Sequence, residues 1–245
     1  MHLNDEKEHI LFVFEGEKTE YAFYEALQNH NLSLKTKDRE ILSTFKADIY
    51  QLYKKIIEDD AEIFPILKMR DKTLENLSED NVSSIFLFFD FDCHATNASD
   101  DKIQELLEFF NNETENGKIF ISYPMVEAFK YFKCCNDIES FLDFKIDRVD
   151  VNRFKQISHE HSDQSRVLKR MQKEDFQHLI YLHCLKAHYL VNNIKDVVEE
   201  YVDQDQIFKV FDQSSNIPVL SSFPQLLKYF YKFEDFLELV EIKKS

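Results

Sequence analysis

The sequence predicts an α/β protein: a mainly parallel sheet flanked by helices, followed by a mostly helical C-terminal region. Three observations carry this. The apolar runs 10–14, 84–89 and 118–121 each end in a polar turn, and a helical pattern follows the first two. Each run is rich in aromatic and β-branched residues without strict alternation, as strands buried on both faces are. Only 2 Gly and 4 Pro occur in 245 residues, so long regular elements are expected with few tight glycine turns.

The first strand, Ile10 to Phe14, runs into Glu15-Gly16-Glu17-Lys18-Thr19-Glu20. Beyond it, Ala22, Phe23, Ala26 and Leu27 fall at helical spacing. Residues 46–58 read as an amphipathic helix, with Ile49, Leu52, Tyr53, Ile56 and Ile57 on one face. The stretch 59–80 reads as largely helical. Ser84 to Phe89 forms the next strand and leads into Asp90-Phe91-Asp92; a polar loop and a helix over 102–111 follow. Lys118 to Ile121 forms the third strand and leads into Ser122-Tyr123-Pro124-Met125-Val126-Glu127. Repeated strand–turn–helix units are the pattern of a parallel sheet.

Past about residue 128 the strand signals fade. Helices are expected over 164–172, 174–192, 194–202 and 224–240, with a break at 203–223 that holds Pro218. The organisation read from this is an α/β domain over 1–150 and a helical region over 151–245.

Charge and composition narrow the function. The formal net charge is −16, from 46 acidic and 30 basic side chains. Phosphate contacts need Lys and Arg, so this chain does not attract nucleic acid over its whole surface. The four cysteines show no metal-ligand spacing and no disulfide framework, and the adjacent Cys134 and Cys135 suit a reducing cytoplasmic setting. No apolar run reaches membrane-spanning length and no signal peptide is visible, so neither a membrane partner nor secretion is expected.

Open α/β sheets place ligand sites at the carboxyl ends of their strands. Here those ends deliver Glu15, then Asp90 and Asp92, then Ser122 and Glu127. Residues at i and i+2 of a strand share a side, so Asp90 and Asp92 can converge. Carboxylates gathered at one edge repel one another unless cations neutralise them, and hard oxygen donors suit Mg²⁺ or Mn²⁺. The plainer alternative is that these residues end strands and cap helices.

The segment Phe12-Val13-Phe14-Glu15-Gly16-Glu17-Lys18-Thr19-Glu20, followed at a distance by Phe88-Phe89-Asp90-Phe91-Asp92, resembles the Toprim domain. The E-G-x-x-T-E form and the later Ser-Tyr-Pro-Met-Val-Glu resemble the OLD and RloB-like branch of that family. The resemblance covers roughly residues 9–128. It implies that Glu15 is a metal ligand or general acid/base and that Asp90 and Asp92 are the metal-binding pair, the three forming the catalytic set. Glu20 and Glu127 are implied as supplementary ligands, although Thr19 stands where OLD-type motifs usually place an acidic residue. Lys18, Ser122 and Lys130 are candidate substrate-binding residues.

What the resemblance implies is a Mg²⁺- or Mn²⁺-dependent nuclease cleaving phosphodiester bonds in DNA or in RNA such as tRNA. In that branch such proteins are toxic effectors of anti-phage abortive infection, gated by an ABC-type ATPase partner, and a homodimer is a further option. Two rival readings remain. One is a non-catalytic Toprim-fold binding subunit or sensor, favoured by Thr19 and the acidity. The other is a phosphotransfer pocket, for which Lys118 lies at the wrong end of its strand.

The histidines suggest a metal site less well. His178, His183 and His188 are five apart, which turns a helical face by about 140° between successive members. Packing or solvent roles are expected for these and for His159 and His161. The aromatic runs 129–132 and 229–233 could stack bases, but at helical spacing they read as core or partner contacts.

Overall fold

The structure is a computed structural model and describes residues 9–131, 137–161, 168–211 and 214–241. Its centre is a five-stranded sheet of β1 (His9–Phe14), β2 (Arg39–Thr44), β3 (Val82–Asp90), β4 (Asn111–Asn112) and β5 (Gly117–Ser122), in the order β2-β1-β3-β5-β4. The pairs β1–β2, β1–β3 and β3–β5 are parallel, and only the two-residue β4 runs antiparallel. The three expected strands are therefore present as the adjacent trio β1, β3 and β5. β2 was not anticipated. Its sequence, Arg-Glu-Ile-Leu-Ser-Thr, holds only two strongly apolar residues, and its position at the sheet edge asks for no more.

Successive residues of β1 serve opposite faces. Leu11 and Val13 join a core with α2 (Ile49–Tyr53), α3 (Ile63–Arg70), α4 (Asp100–Phe109) and α8 (Gln204–Lys209). Ile10, Phe12 and Phe14 join a second core with α1 (Thr19–Asn29), α7 (Lys173–Asn192), α9 (Ser222–Phe230) and α10 (Phe233–Leu239). The second core is strongly aromatic: Phe88 stacks on Phe223 at 5.0 Å and on Phe120 at 5.6 Å between ring centroids. A parallel sheet must be covered on both faces, and on this one the first 150 residues supply only α1 as a full-length helix. The core accordingly runs through the expected division at 150, with α9 packed on β5 and α7 packed on α9. A small antiparallel pair, β6 (Lys145–Asp147) and β7 (Asn216–Pro218), also joins residues from either side of it.

Several helices differ from expectation. The helix expected over 46–58 starts at Ile49, capped by Asp48, whose carboxylate accepts from the Gln51 N–H at 2.9 Å, and continues as a wider helical turn over Lys54–Glu58. The 59–80 stretch holds α3 and two short turns. Residues 168–172 are not helical, and the remainder of the helix expected over 164–172 lies outside the described residues. The 194–202 stretch is not helical either: α7 ends at Asn193 in a left-handed conformation, and the chain beyond is held in part by Lys228, whose ammonium donates to the Glu199 carbonyl at 2.8 Å. The expected break at 203–223 contains α8, begun by a capping box between Asp203 and Gln206. The helix expected over 224–240 divides into α9 and α10 at Tyr231, which is extended. Two further helices, α5 (Ile138–Asp143) and α6 (Phe154–His161), lie between β5 and α7.

The connections fix where a site belongs. From β1 the chain passes through α1 to β2 on one side; from β3 it passes through α4 to β4 and β5 on the other. The carboxyl ends of β1 and β3 thus flank the point where strand order reverses, the usual ligand position in open α/β sheets.

Candidate metal centre

Glu15 follows the last residue of β1, and Asp90 is the last residue of β3. The strands pair Phe14 with Phe88, so the two carboxylates stand at neighbouring strand ends. Glu15 Oε2 accepts from the Asp90 N–H at 3.0 Å, and the Glu15 N–H donates to the Phe88 carbonyl at 3.0 Å. Asp90 Oδ1 in turn accepts from the Val126 N–H at 2.8 Å, tying β3 to the short helical turn Val126–Lys130. That turn carries Glu127, which is buried. Glu20, in the first turn of α1, is buried as well and accepts from the Gly16 N–H at 3.2 Å. A Cβ at Gly16 would stand 3.2 Å from Glu20 Oε2, a tight contact that the Glu20 carboxylate would have to yield to by a few tenths of an ångström.

The carboxylates of Glu15, Glu20, Asp90, Asp92 and Glu127 bear on one another electrostatically, and of these Glu15 and Glu20 line the open cleft. Burial pushes Glu15 from its ordinary 4.5 up to about 8; the Asp90 N–H opposes this, and the charges of Asp92, Glu20 and Asp48 add to it. Asp90 is held well above the usual carboxylate range by burial and then by the charges of Glu15, Glu20 and Glu127. Burial also raises Glu20, against the Gly16 N–H and with the charge of Glu127. For Asp92, burial raises the carboxyl while His94 lowers it.

The open cleft is about 530 Å³ and is lined by Glu15, Gly16, Lys18, Glu20, Lys46 and Asp48 among others. Two of these were not singled out from the sequence. Asp48 bears on both Glu15 and Asp92, and it reaches the cleft because Lys46, in a left-handed turn, donates its N–H to the Glu15 carbonyl at 3.0 Å. Its signal was present as an N-cap aspartate ahead of an apolar helix. Lys46 pairs with Glu17 at 2.7 Å on the exposed rim. A third, Lys155 of α6, pairs with Glu127 at 3.2 Å and had no signal in the sequence.

The candidate substrate residues separate. Lys18 is exposed on the cleft wall. Ser122 is buried, with its hydroxyl 2.8 Å from that of Ser222, so it joins β5 to the start of α9. Lys130 is half-buried at the end of the Glu127 turn. The histidines on α7 pack: His183 is buried, with Nε2 3.1 Å from the Phe129 carbonyl and Nδ1 accepting from the Ser221 N–H at 3.1 Å. Burial holds His183 down at about 3 and His188 at about 4, so both are neutral. Cys134, Cys135 and Phe132 lie outside the described residues, as does the side chain of His161.

Among the described residues, no three carboxylate, imidazole or thiolate groups converge closely enough to enclose a metal ion as they lie. Glu15 and Asp90 are turned instead onto backbone amides. The donor chemistry still suits a hard divalent cation: all-oxygen, partly buried and short of positive charge. No helix among the described residues is long and apolar enough to cross a membrane. Comparison with protein family models, curated proteins and solved structures returned no match for this chain.

Proposed function

We propose that this chain is a Toprim-type, Mg²⁺- or Mn²⁺-dependent nuclease whose centre is Glu15, Asp90 and Asp92. The observation that supports this reading best is the placement of Glu15 and Asp90 side by side where strand order reverses, with Asp92 two residues on. Glu15, Asp90 and Asp92 would hold the cation, with Glu20, Glu127 and Asp48 as further carboxylates that bear on them. A divalent ion bound there would polarise a phosphodiester and lower the pKa of water. The chain's own part is proton handling and positioning. Without a cation, Glu15 keeps its proton near neutral pH with Oε2 held by the Asp90 N–H; Glu15 would give up that proton to hold a cation, so loading the centre would release it. Lys18 on the cleft wall supplies a cation for a phosphate.

The substrate is DNA or RNA, and the acidity of the chain fits an effector gated by an ATPase partner or by a second copy better than a freely scanning enzyme. The test is cleavage of plasmid DNA and of total tRNA by purified protein with Mg²⁺ or Mn²⁺, beside Glu15→Gln. Cleavage lost in the variant supports the reading; equal cleavage by a folded variant removes it. A second reading is a non-catalytic binding subunit, favoured by the carboxylates being engaged with backbone amides. Cation binding without hydrolysis of either nucleic acid, with the ATPase partner present, would select it.

A further inference from the structure

The inner side of the carboxylate group carries a cation of its own. Lys155, at the second position of α6, extends its ammonium to 3.2 Å from Glu127 Oε1 and also bears on Glu20. The two partners differ sharply in environment: the Lys155 side chain is 73% exposed and that of Glu127 6%. Glu127 is thus a buried carboxylate whose counter-charge reaches in from solvent on a flexible stem. The base of that stem is fixed. Phe154 is buried beside it, and Ser158, one turn further along α6, donates to the Glu127 carbonyl at 3.3 Å. The other cation on the cleft with an acidic partner here, Lys46, pairs with Glu17 on the rim, where both groups are exposed. Lys155 alone among these two reaches the inner carboxylates.

Lys155 is exposed, but its partner Glu127 is buried, so the pair matters more to folding than one exposed on both sides. The same ammonium also opposes a second cation entering the same carboxylates. A divalent ion at Glu15 and Asp90 would meet the Lys155 charge across Glu20 and Glu127, which neighbour both.

We propose that Lys155 is a displaceable internal counter-ion: its ammonium occupies the inner carboxylates, and a divalent cation binding the centre competes with it. This rests on the metal reading above and adds its regulation. Any contact that draws α6 or its lysine away, such as a partner carboxylate or a nucleic-acid phosphate taking the ammonium, would raise cation affinity and load the centre. Lys155 is a positioning residue in this scheme, acting through Glu127 and Glu20.

The test is Mn²⁺ binding by calorimetry at low ionic strength on the full chain, comparing wild type, Lys155→Ala, Lys155→Arg and Glu15→Gln. Lys155 bears on Glu127 and Glu20, so removing its charge removes a repulsion that a divalent ion would meet. Lys155→Ala is expected to bind about tenfold tighter, the Coulomb gain for close neighbours in a water-like medium. The gap should shrink as salt is added, Lys155→Arg should match wild type in affinity and thermal midpoint, and Lys155→Ala, which leaves the buried Glu127 without its counter-charge, should melt lower without metal. Affinity in Lys155→Ala equal to or weaker than wild type, with wild-type binding still dependent on Glu15, overturns the counter-ion alone. Absence of Mn²⁺ binding in wild type and Lys155→Ala alike overturns the metal reading and this proposal with it.

Discussion

Replacing Glu15 by Gln should stabilise the metal-free protein, and by an amount that grows with pH. Gln keeps the shape and an oxygen to accept the Asp90 N–H, and removes only the titratable charge. The folded pKa of Glu15, about 8, lies above its ordinary 4.5, so between these values the folded state holds the proton more tightly than the unfolded chain. Stability contributed by the protonated group is therefore present below pH 4.5 and lost as pH rises through 8. For this group alone the loss is about 1 kcal/mol at pH 5 and about 3 kcal/mol at pH 7. The advantage of Glu15→Gln over wild type should grow by about 2 kcal/mol across that interval. His183 and His188 change stability in the opposite sense over the same range, but both proteins carry them, so they cancel in the difference. Urea denaturation of both proteins in EDTA at pH 5 and pH 7 measures it. A difference that is constant or shrinks with pH would show that Glu15 is not a buried, crowded carboxylate.

Three further outcomes follow from other parts of the fold. Gly117 adopts a φ of 109°, and a Cβ there would stand 2.9 Å from Leu87 Cδ1, so Gly117→Ala should cost about 2 kcal/mol or more and lower the melting midpoint by about 4–8 °C; an unchanged midpoint would contradict the packing at this strand start. Asp203 caps α8 and pairs with the buried Lys118 ammonium at 3.1 Å, so Asp203→Ala should cost about 2–4 kcal/mol in chemical denaturation. Adding Lys118→Met should recover part of that loss; no recovery would mean that the buried charge is not the cause. The His183 ring should stay neutral from pH 8 down to pH 5, because burial holds its pKa near 3. Below 6.5 the unfolded chain takes up protons that the folded His183 refuses, so this residue costs stability as pH falls; a ring titration midpoint near 6.5 by NMR would refute its burial.

Much of the sheet was legible because its strands are buried on both faces. Such strands are apolar along their whole length, as Phe12-Val13-Phe14 and Phe86-Leu87-Phe88 are, and a polar residue at their end stands out against them. Glu15 and Asp90 could be named for that reason. β2 could not, since an edge strand is freed from that demand. The helical region was read less well. Helical spacing was clear over 174–192, but 194–202 forms no helix, and the 224–240 pattern conceals a break at Tyr231, where the phenolic oxygen binds the Ser33 carbonyl and the Lys35 N–H instead. Those choices are made by tertiary contacts distant in sequence. Lys155 meets Glu127 for the same reason, through the docking of α6 on a turn 28 positions earlier, and no local pattern announces it.

The central claim is that Glu15, Asp90 and Asp92 hold a divalent cation. The most direct test is a crystal structure of the chain soaked with Mn²⁺, read by anomalous scattering. A peak is expected between the ends of β1 and β3, with the Glu15 and Asp90 carboxylates turned from their backbone amides onto the ion. A crystal with no peak there, and with those carboxylates still on the Asp90 and Val126 N–H groups, would contradict it.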